Sequence, residues 1–178
     1  MKNIDTIIFD LGGVLIDWNP EYVFLDVFQD DREKMQWFFN TICTPAWNEN
    51  QDAGYPIAQA NEDLVALFPE YETEIRLFYG RWSDMLGDAI SGTVEILKTL
   101  INSKKYKVLA LTNWSAETFP IALEKFEFLQ WFEGIIVSGE EKTRKPFEDI
   151  QKIRKSLGEI RKSVEEIRKS VQNIGKLQ

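Results

Sequence analysis

Three short stretches of the chain carry side chains able to act on an anionic or electrophilic substrate: Asp10 with Gly12 and Gly13, the pair Thr112 and Asn113, and Lys145 before Pro146. A carboxylate beside two glycines suits a nucleophile that attacks phosphorus or an activated carbon. Glycines free to take positive φ let backbone N–H groups converge on one point and form an anion-binding concavity. A hydroxyl and an amide can hydrogen-bond a phosphoryl or carboxylate oxygen. A lysine neutralises such an anion as a compact point charge. Each stretch alone also reads as something plainer: a solvated strand end, a helix cap, a charged loop.

Their placement is more informative than their types. Thr6 to Phe9 is a short apolar, partly β-branched run and predicts a buried strand of a parallel sheet. Lys107 to Leu111 and Gly134 to Val137 predict two more strands. Gly92 to Leu100 and Glu117 to Phe126, with Pro120 in the first turn, predict the intervening helices. Each strand is thus followed by one of the three stretches, and in open α/β sheets ligands bind just outside the carboxyl ends of the strands.

Between the first two strands lies a long helical segment. Asn19-Pro20 marks a turn. Phe24, Val27 and Phe28, then Met35, Phe38, Phe39 and Ile42, recur at helical spacing, with Asp30-Asp31 placed to start the second helix and Thr44-Pro45 to end it. Trp47 to Pro56 reads as turn-rich. Ile57 to Phe68 and Ile75 to Met85 predict two further helices separated by Pro69, and no strand is expected between Pro20 and Leu86. Such a segment is too long for an ordinary strand-to-helix connection. It is expected either to cap the strand edge that carries Asp10 or to fill the outer layer of one core.

The chain has 178 residues and a formal charge of −8, which argues against a nucleic-acid partner. Neither a run of 18 apolar residues nor a basic, then apolar, N-terminal signal is present, so the expectation is a cytoplasmic protein without a membrane partner. The lone Cys43 agrees with a reducing compartment. With no histidine in the chain, Ser-His and Cys-His nucleophiles and histidine-bound zinc are excluded. Catalysis must rest on carboxylates, Lys, Arg, hydroxyls or a hard metal.

Charge and aromatic content both change near Ile150. Residues 151–178 carry eight Lys or Arg against three Glu, and aromatic residues stop at Phe147. Ile153-Arg154-Lys155-Ser156 recurs at Ile160 and at Ile167, and Leu157, Val164 and Val171 complete an apolar heptad stripe. That pattern predicts one amphipathic helix. Its stripe is expected to pack within the chain or to drive self-association through residues 150–174.

Together, Phe9-Asp10-Leu11-Gly12-Gly13-Val14-Leu15, Leu111-Thr112-Asn113 and Arg144-Lys145-Pro146 resemble the first three motifs of the haloacid dehalogenase superfamily of hydrolases, in order and with family-like spacing. The helical segment resembles that family's cap, including Trp47 and the Asp52-Ala53-Gly54 turn. The resemblance implies an α/β fold: a partial Rossmann-like parallel sheet formed by 1–17 and 87–150, a helical cap at 18–86, and the non-family C-terminal helix at 151–178. It further implies that Asp10 is the nucleophile of a covalent aspartyl intermediate and that Lys145 holds nucleophile and substrate oxygen together. Gly12, Gly13, Thr112 and Asn113 would bind the transferring group. Mg²⁺ would be held by Asp10 and the backbone at Leu11 or Gly12, and the substrate would be a small phosphate ester. Trp18, Trp47 and Tyr55 are candidate substrate contacts from the cap, or packing residues within it.

Two departures bear on activity. Phosphatases of the family carry an acid–base Asp two residues after the nucleophile, where this chain has Gly12. Asp17 cannot be assumed to replace it. Dehalogenases of the family lack that Asp too, so a 2-haloacid dehalogenase-type hydrolase remains an alternative. The family's fourth, acidic motif is replaced by the heptad tail, and Glu165-Glu166 read as solvent-face positions. An impaired hydrolase and a catalytically silent scaffold therefore both stay open.

Overall fold

The structure, a computed structural model, describes residues 4–146. The expected helix over 151–178, its heptad stripe and any self-association through 150–174 lie outside the described residues. Strands β1 (Thr6–Phe9), β4 (Lys107–Thr112) and β5 (Gly134–Val137) form a parallel sheet in the order β1-β4-β5. Between them in sequence come β2 (Ile16–Trp18), helices α1 (Glu21–Val27), α2 (Arg32–Thr41), α3 (Pro45–Asp52), α4 (Ile57–Leu67), α5 (Glu72–Gly80) and α6 (Trp82–Met85), strand β3 (Leu86–Ala89) and α7 (Ser91–Ser103). Helix α8 (Phe119–Lys125) joins β4 to β5, and α9 (Ser138–Glu141) follows β5. The α/β class read from the sequence is the one observed.

Strand β4 is central and alternates half-buried with buried positions, Val108, Ala110 and Thr112 facing the packed side. β1 is the sheet's edge among the described residues, with Ile8 47% exposed, so it is not the fully buried strand that its apolar run suggested. An edge strand keeps one face and one row of backbone groups away from the core.

Two short strands were not expected. β2 and β3 pair antiparallel, Ile16 opposite Ala89 and Trp18 opposite Leu86. The chain leaves the sheet through one strand of this ribbon and returns through the other, so the two ends of the helical segment are neighbours. Asp17 lies over Gly87 in the return strand: a Cβ there would stand 2.4 Å from the Asp17 carboxylate, which would have to move aside.

The helical segment has an aromatic core. Phe24, Phe28, Phe38 and Phe78 pack ring to ring, and Tyr79 stacks on Trp82. Asp31 caps α2 by accepting from the Lys34 N–H, as its position predicted. Thr44-Pro45 does not simply stop α2. The Thr44 hydroxyl accepts from the Trp47 N–H and Pro45 opens α3, so the segment read as turn-rich begins with a helix. The expected Ile75–Met85 helix is two helices, α5 and α6, broken at Arg81.

Three polar links clasp the helical segment to the strand ends. Arg144 pairs with Glu49 on α3, the Glu117 carboxylate accepts from the Ile57 N–H at the start of α4 (2.8 Å), and the Ser138 hydroxyl donates to the Asp52 carbonyl (2.5 Å). No helix among the described residues is long and apolar enough to cross a membrane.

Candidate active site

Asp10 stands at the carboxyl end of β1, where its side chain is 44% exposed. One carboxylate oxygen accepts from the Leu11 N–H (2.9 Å) and the other from the Lys145 ammonium (2.7 Å). Lys145 also donates to the Leu111 carbonyl at 2.9 Å, so its ammonium is held between the ends of β1 and β4. Residues 135 positions apart in sequence thus meet at one sheet edge. The pair is charge-assisted yet open to solvent, an arrangement that fixes geometry more than it stabilises the fold.

Asn113 is turned toward the lysine. Its Oδ1 accepts from the Lys145 N–H (2.8 Å), and its Nδ2 donates to the Lys145 carbonyl (2.9 Å). The amide expected to bind the transferring group therefore clamps the main chain of the lysine. Thr112 is buried, its hydroxyl 3.5 Å from the neighbouring Asn113 carbonyl.

The glycine loop also departs from expectation. The Gly13 N–H donates to the Ile16 carbonyl (2.9 Å), so it does not contribute to an anion nest. The Leu11 carbonyl accepts from Val14, Leu15 and Ile16, which turns it into the loop and leaves Gly12 as the backbone ligand candidate beside Asp10. Gly13 sits at φ +72°, a conformation that a side chain would strain.

A pocket of roughly 310 Å³ opens beside this cluster, lined by Gly12, Gly13, Trp18, Asn48, Asp52, Trp82, Asn113 and Trp114. Trp18, a candidate substrate contact, is one of the residues lining it. Trp47 does not line it: the ring packs on Phe78 and Tyr79, and its indole N–H reaches the Ala60 carbonyl. Tyr55 is exposed and donates to Asp63 (2.6 Å), away from the pocket lining. The indole N–H groups of Trp18, Trp82 and Trp114 are buried and have no hydrogen-bond partner among the described residues. Such groups call for an acceptor.

Asn48, Trp82 and Trp114 were not singled out from the sequence, and Asp52 was noted only as part of the Asp52-Ala53-Gly54 turn, with no role at the site. Asn48 and Asp52 sit one helical turn apart on α3, with Asn48 Nδ2 3.4 Å from the Asp52 carboxylate. Burial pushes the Asp52 carboxyl up to about 6, helped by Glu49 and opposed by the Ser115 N–H and Arg144. Asp17 is not part of the pocket: it accepts a short hydrogen bond from the Tyr22 hydroxyl.

No family model and no curated protein matches the chain. Solved structures do match. A HAD family enzyme from Bacteroides thetaiotaomicron, in complex with magnesium and inorganic phosphate, aligns with a TM-score of 0.58 at 21% identity, over 88% of this chain and 80% of its own. The fold is that of the haloacid dehalogenase (HAD) enzymes. A dehalogenase aligns with a TM-score of 0.54 at 16% identity, over 90% of this chain and 73% of its own. The putative HAD-hydrolase YfnB from Bacillus subtilis, bound to magnesium, gives 0.54 at 20% identity, over 82% and 70%. The HAD fold accounts for the order in which Asp10, Asn113 and Lys145 arrive at one edge, since each follows a parallel strand of the same sheet.

Among the described residues no group of three or more carboxylate or thiol side chains could hold a metal. The Asp10 carboxylate and the Gly12 carbonyl supply hard oxygen donors, which fits Mg²⁺. That ion uses one or two carboxylates and keeps several waters.

Proposed function

We propose that the chain is a hydrolase of small phosphate esters working through an aspartyl intermediate on Asp10. The observation that carries this reading is the Asp10–Lys145 contact at the sheet edge, beside a pocket of small-molecule size. Asp10 attacks phosphorus, the bond to the leaving oxygen breaks, and water then attacks the phosphorus of the aspartyl phosphate to regenerate the carboxylate and release inorganic phosphate. Lys145 neutralises charge on the transferring oxygens while keeping the Asp10 carboxylate aligned. Asn113 fixes the lysine's main chain. The helical segment caps the pocket, Trp18 and Trp82 forming part of its wall. Mg²⁺, held by Asp10 and the Gly12 carbonyl, would neutralise the phosphoryl group when bound. It is the ion bound in the Bacteroides and Bacillus structures.

The reading is tested with 4-nitrophenyl phosphate and Mg²⁺. Turnover by the full chain, its loss in Asp10→Asn, and an acid-stable phosphate label on the wild type but not on the variant are expected. Turnover that survives Asp10→Asn removes the proposal.

A second reading, a 2-haloacid dehalogenase-type hydrolase, is favoured by Gly12 at the position after Leu11 and by the likeness to a dehalogenase fold. Halide release from 2-chloropropionate without phosphatase activity would select it.

A further inference from the structure

Asp52 is the only carboxylate lining the pocket among the described residues. Gly12 lines the same pocket, so the position that lacks a proton-transferring side chain and the carboxyl that could provide one border a common space. Resting on the phosphate-ester reading above, we propose that Asp52 is the general acid and base of this site, serving the leaving oxygen from α3 in place of a carboxylate at position 12.

Other nearby carboxylates are engaged: Asp10 with Lys145, Glu49 with Arg144, and Asp17 with the Tyr22 hydroxyl. Asp52 instead has the Asn48 amide and the Ser115 N–H beside it. It is also the last residue of α3, where the negative end of the helix disfavours the ionised form.

Its placement is built rather than incidental. The Ser138 hydroxyl accepts from the Trp114 N–H (2.9 Å) and donates to the Asp52 carbonyl, tying the end of α3 to the loops after β4 and β5. Gly139 permits this approach, because a Cβ there would stand 2.4 Å from the Ala116 nitrogen. Gly54, two residues after Asp52, is at φ +92° with a hypothetical Cβ 2.9 Å from the Gly139 carbonyl. Asp52 is thus held by the loops that also position Asn113 and Lys145.

The charged and titratable groups around it are few. Glu49 on its own helix raises its pKa and Arg144, after α9, lowers it. Tyr79 of α5 is pushed well above the usual phenol range and stays neutral, while Lys142 lies against Gly54. The raised carboxyl, at about 6, holds a proton in mildly acidic solution and can exchange it near neutrality.

In the first step the Asp10 oxygen bonds to phosphorus and the bond to the leaving oxygen breaks. The Asp52 proton passes to that oxygen, which departs as a neutral alcohol. In the second step the Asp52 carboxylate takes a proton from water as that water attacks phosphorus. The phosphorus–Asp10 bond breaks, returning the Asp10 carboxylate and a protonated Asp52.

The test compares the full-length wild type, Asp52→Asn and Asp52→Glu, with Mg²⁺, on an alkyl ester (glycerol phosphate) and on 4-nitrophenyl phosphate. An alkoxide needs a proton to leave and nitrophenolate does not. Asp52→Asn should slow the alkyl ester by ~10²–10⁴-fold. The nitrophenolate burst should slow by a far smaller factor, because it reports only Asp10 phosphorylation. The alkyl-ester pH profile should lose its limb near 6. Asp52→Glu should restore part of the rate with a displaced limb. Equal slowing of the phosphorylation step on both esters, or an unchanged pH profile, overturns the proposal, and thermal unfolding identifies any variant that fails to fold. No Asp10-dependent turnover of either ester by the wild type instead removes the phosphate-ester reading itself, and this proposal with it.

Discussion

Asn113 and Lys145 are joined twice through one amide, which accepts the lysine's N–H at 2.8 Å and donates to its carbonyl at 2.9 Å. Side chain meets main chain in both directions, so the loop after β5 is registered against the end of β4 before any substrate arrives. The ammonium then reaches Asp10 and the Leu111 carbonyl from a fixed base. On the phosphate-ester reading proposed above, preorganisation of this kind matters because phosphoryl transfer depends on positioning and charge neutralisation.

Asn113→Ala should therefore act on both stability and turnover. Losing two hydrogen bonds at roughly 1 kcal/mol each lowers stability by about 2 kcal/mol, or about 4–8 °C in Tm. Turnover of the aryl phosphate should fall mainly in kcat, since Lys145 loses its placement while the pocket walls remain. A variant with wild-type Tm and kcat would show that the clamp is dispensable.

Lys145→Met separates charge from fold. Both partners of the ion pair are partly solvent-exposed, so the stability change should stay under about 1 kcal/mol. Aryl phosphatase activity should fall by ~10²-fold or more, because an interaction made in the transition state is removed. Lys145→Arg should recover little, since a planar guanidinium does not reproduce the contacts to Asp10 and Leu111. Parallel chemical denaturation and steady-state kinetics check both halves.

Much of this arrangement is legible in the sequence. Apolar runs of strand length placed Asp10 and Asn113 directly past two strands and the loop carrying Lys145 after the third, and β5 has the bounds its pattern predicts. The ribbon was not legible. Ile16-Asp17-Trp18 and Leu86-Gly87-Asp88-Ala89 are short and carry Gly and Asp, which are poor strand formers, and only their mutual pairing makes them strands. Helix α3 was missed for a different reason: Thr44-Pro45 reads equally as the end of one helix and the cap and first residue of the next. Had the second reading been taken, the i, i+4 relation of Asn48 and Asp52 would have put them on one face. The commitment of the Gly13 N–H and of the Asn113 amide depends on loop conformation, which residue types alone do not specify.

Ser138→Ala probes the link between α3 and the strand ends. The hydroxyl is buried and bridges the Trp114 N–H and the Asp52 carbonyl. Its removal leaves two backbone groups short of a partner, and buried unsatisfied groups cost about 1–3 kcal/mol each. A loss of roughly 2 kcal/mol or more is expected from denaturant titration, with a weaker effect if water enters. Gly139→Ala should be at least as harmful, since the new methyl would press on the Ala116 backbone, which has little room to move.

Asp52 should make stability depend on pH with a definite sign. Its carboxyl is raised from an ordinary 3.8 to about 6 in the folded chain. Between those values the folded chain holds more of this proton than the unfolded chain does, so stability contributed by this group falls as pH rises from about 4 to about 6. Above that window the ionised form carries the full penalty, of order 1–3 kcal/mol. Asp52→Asn removes the ionisation while keeping the shape and the acceptor for the Ser115 N–H. The variant should therefore melt higher than the wild type at pH 7.5, and the gap should close toward pH 4. A residue that makes the fold more stable when replaced, yet slows the alkyl ester, is one whose unfavourable placement serves the reaction. Melting curves of both chains across pH 4–8 decide the point, and a difference that does not change with pH would place the Asp52 carboxyl near its ordinary value.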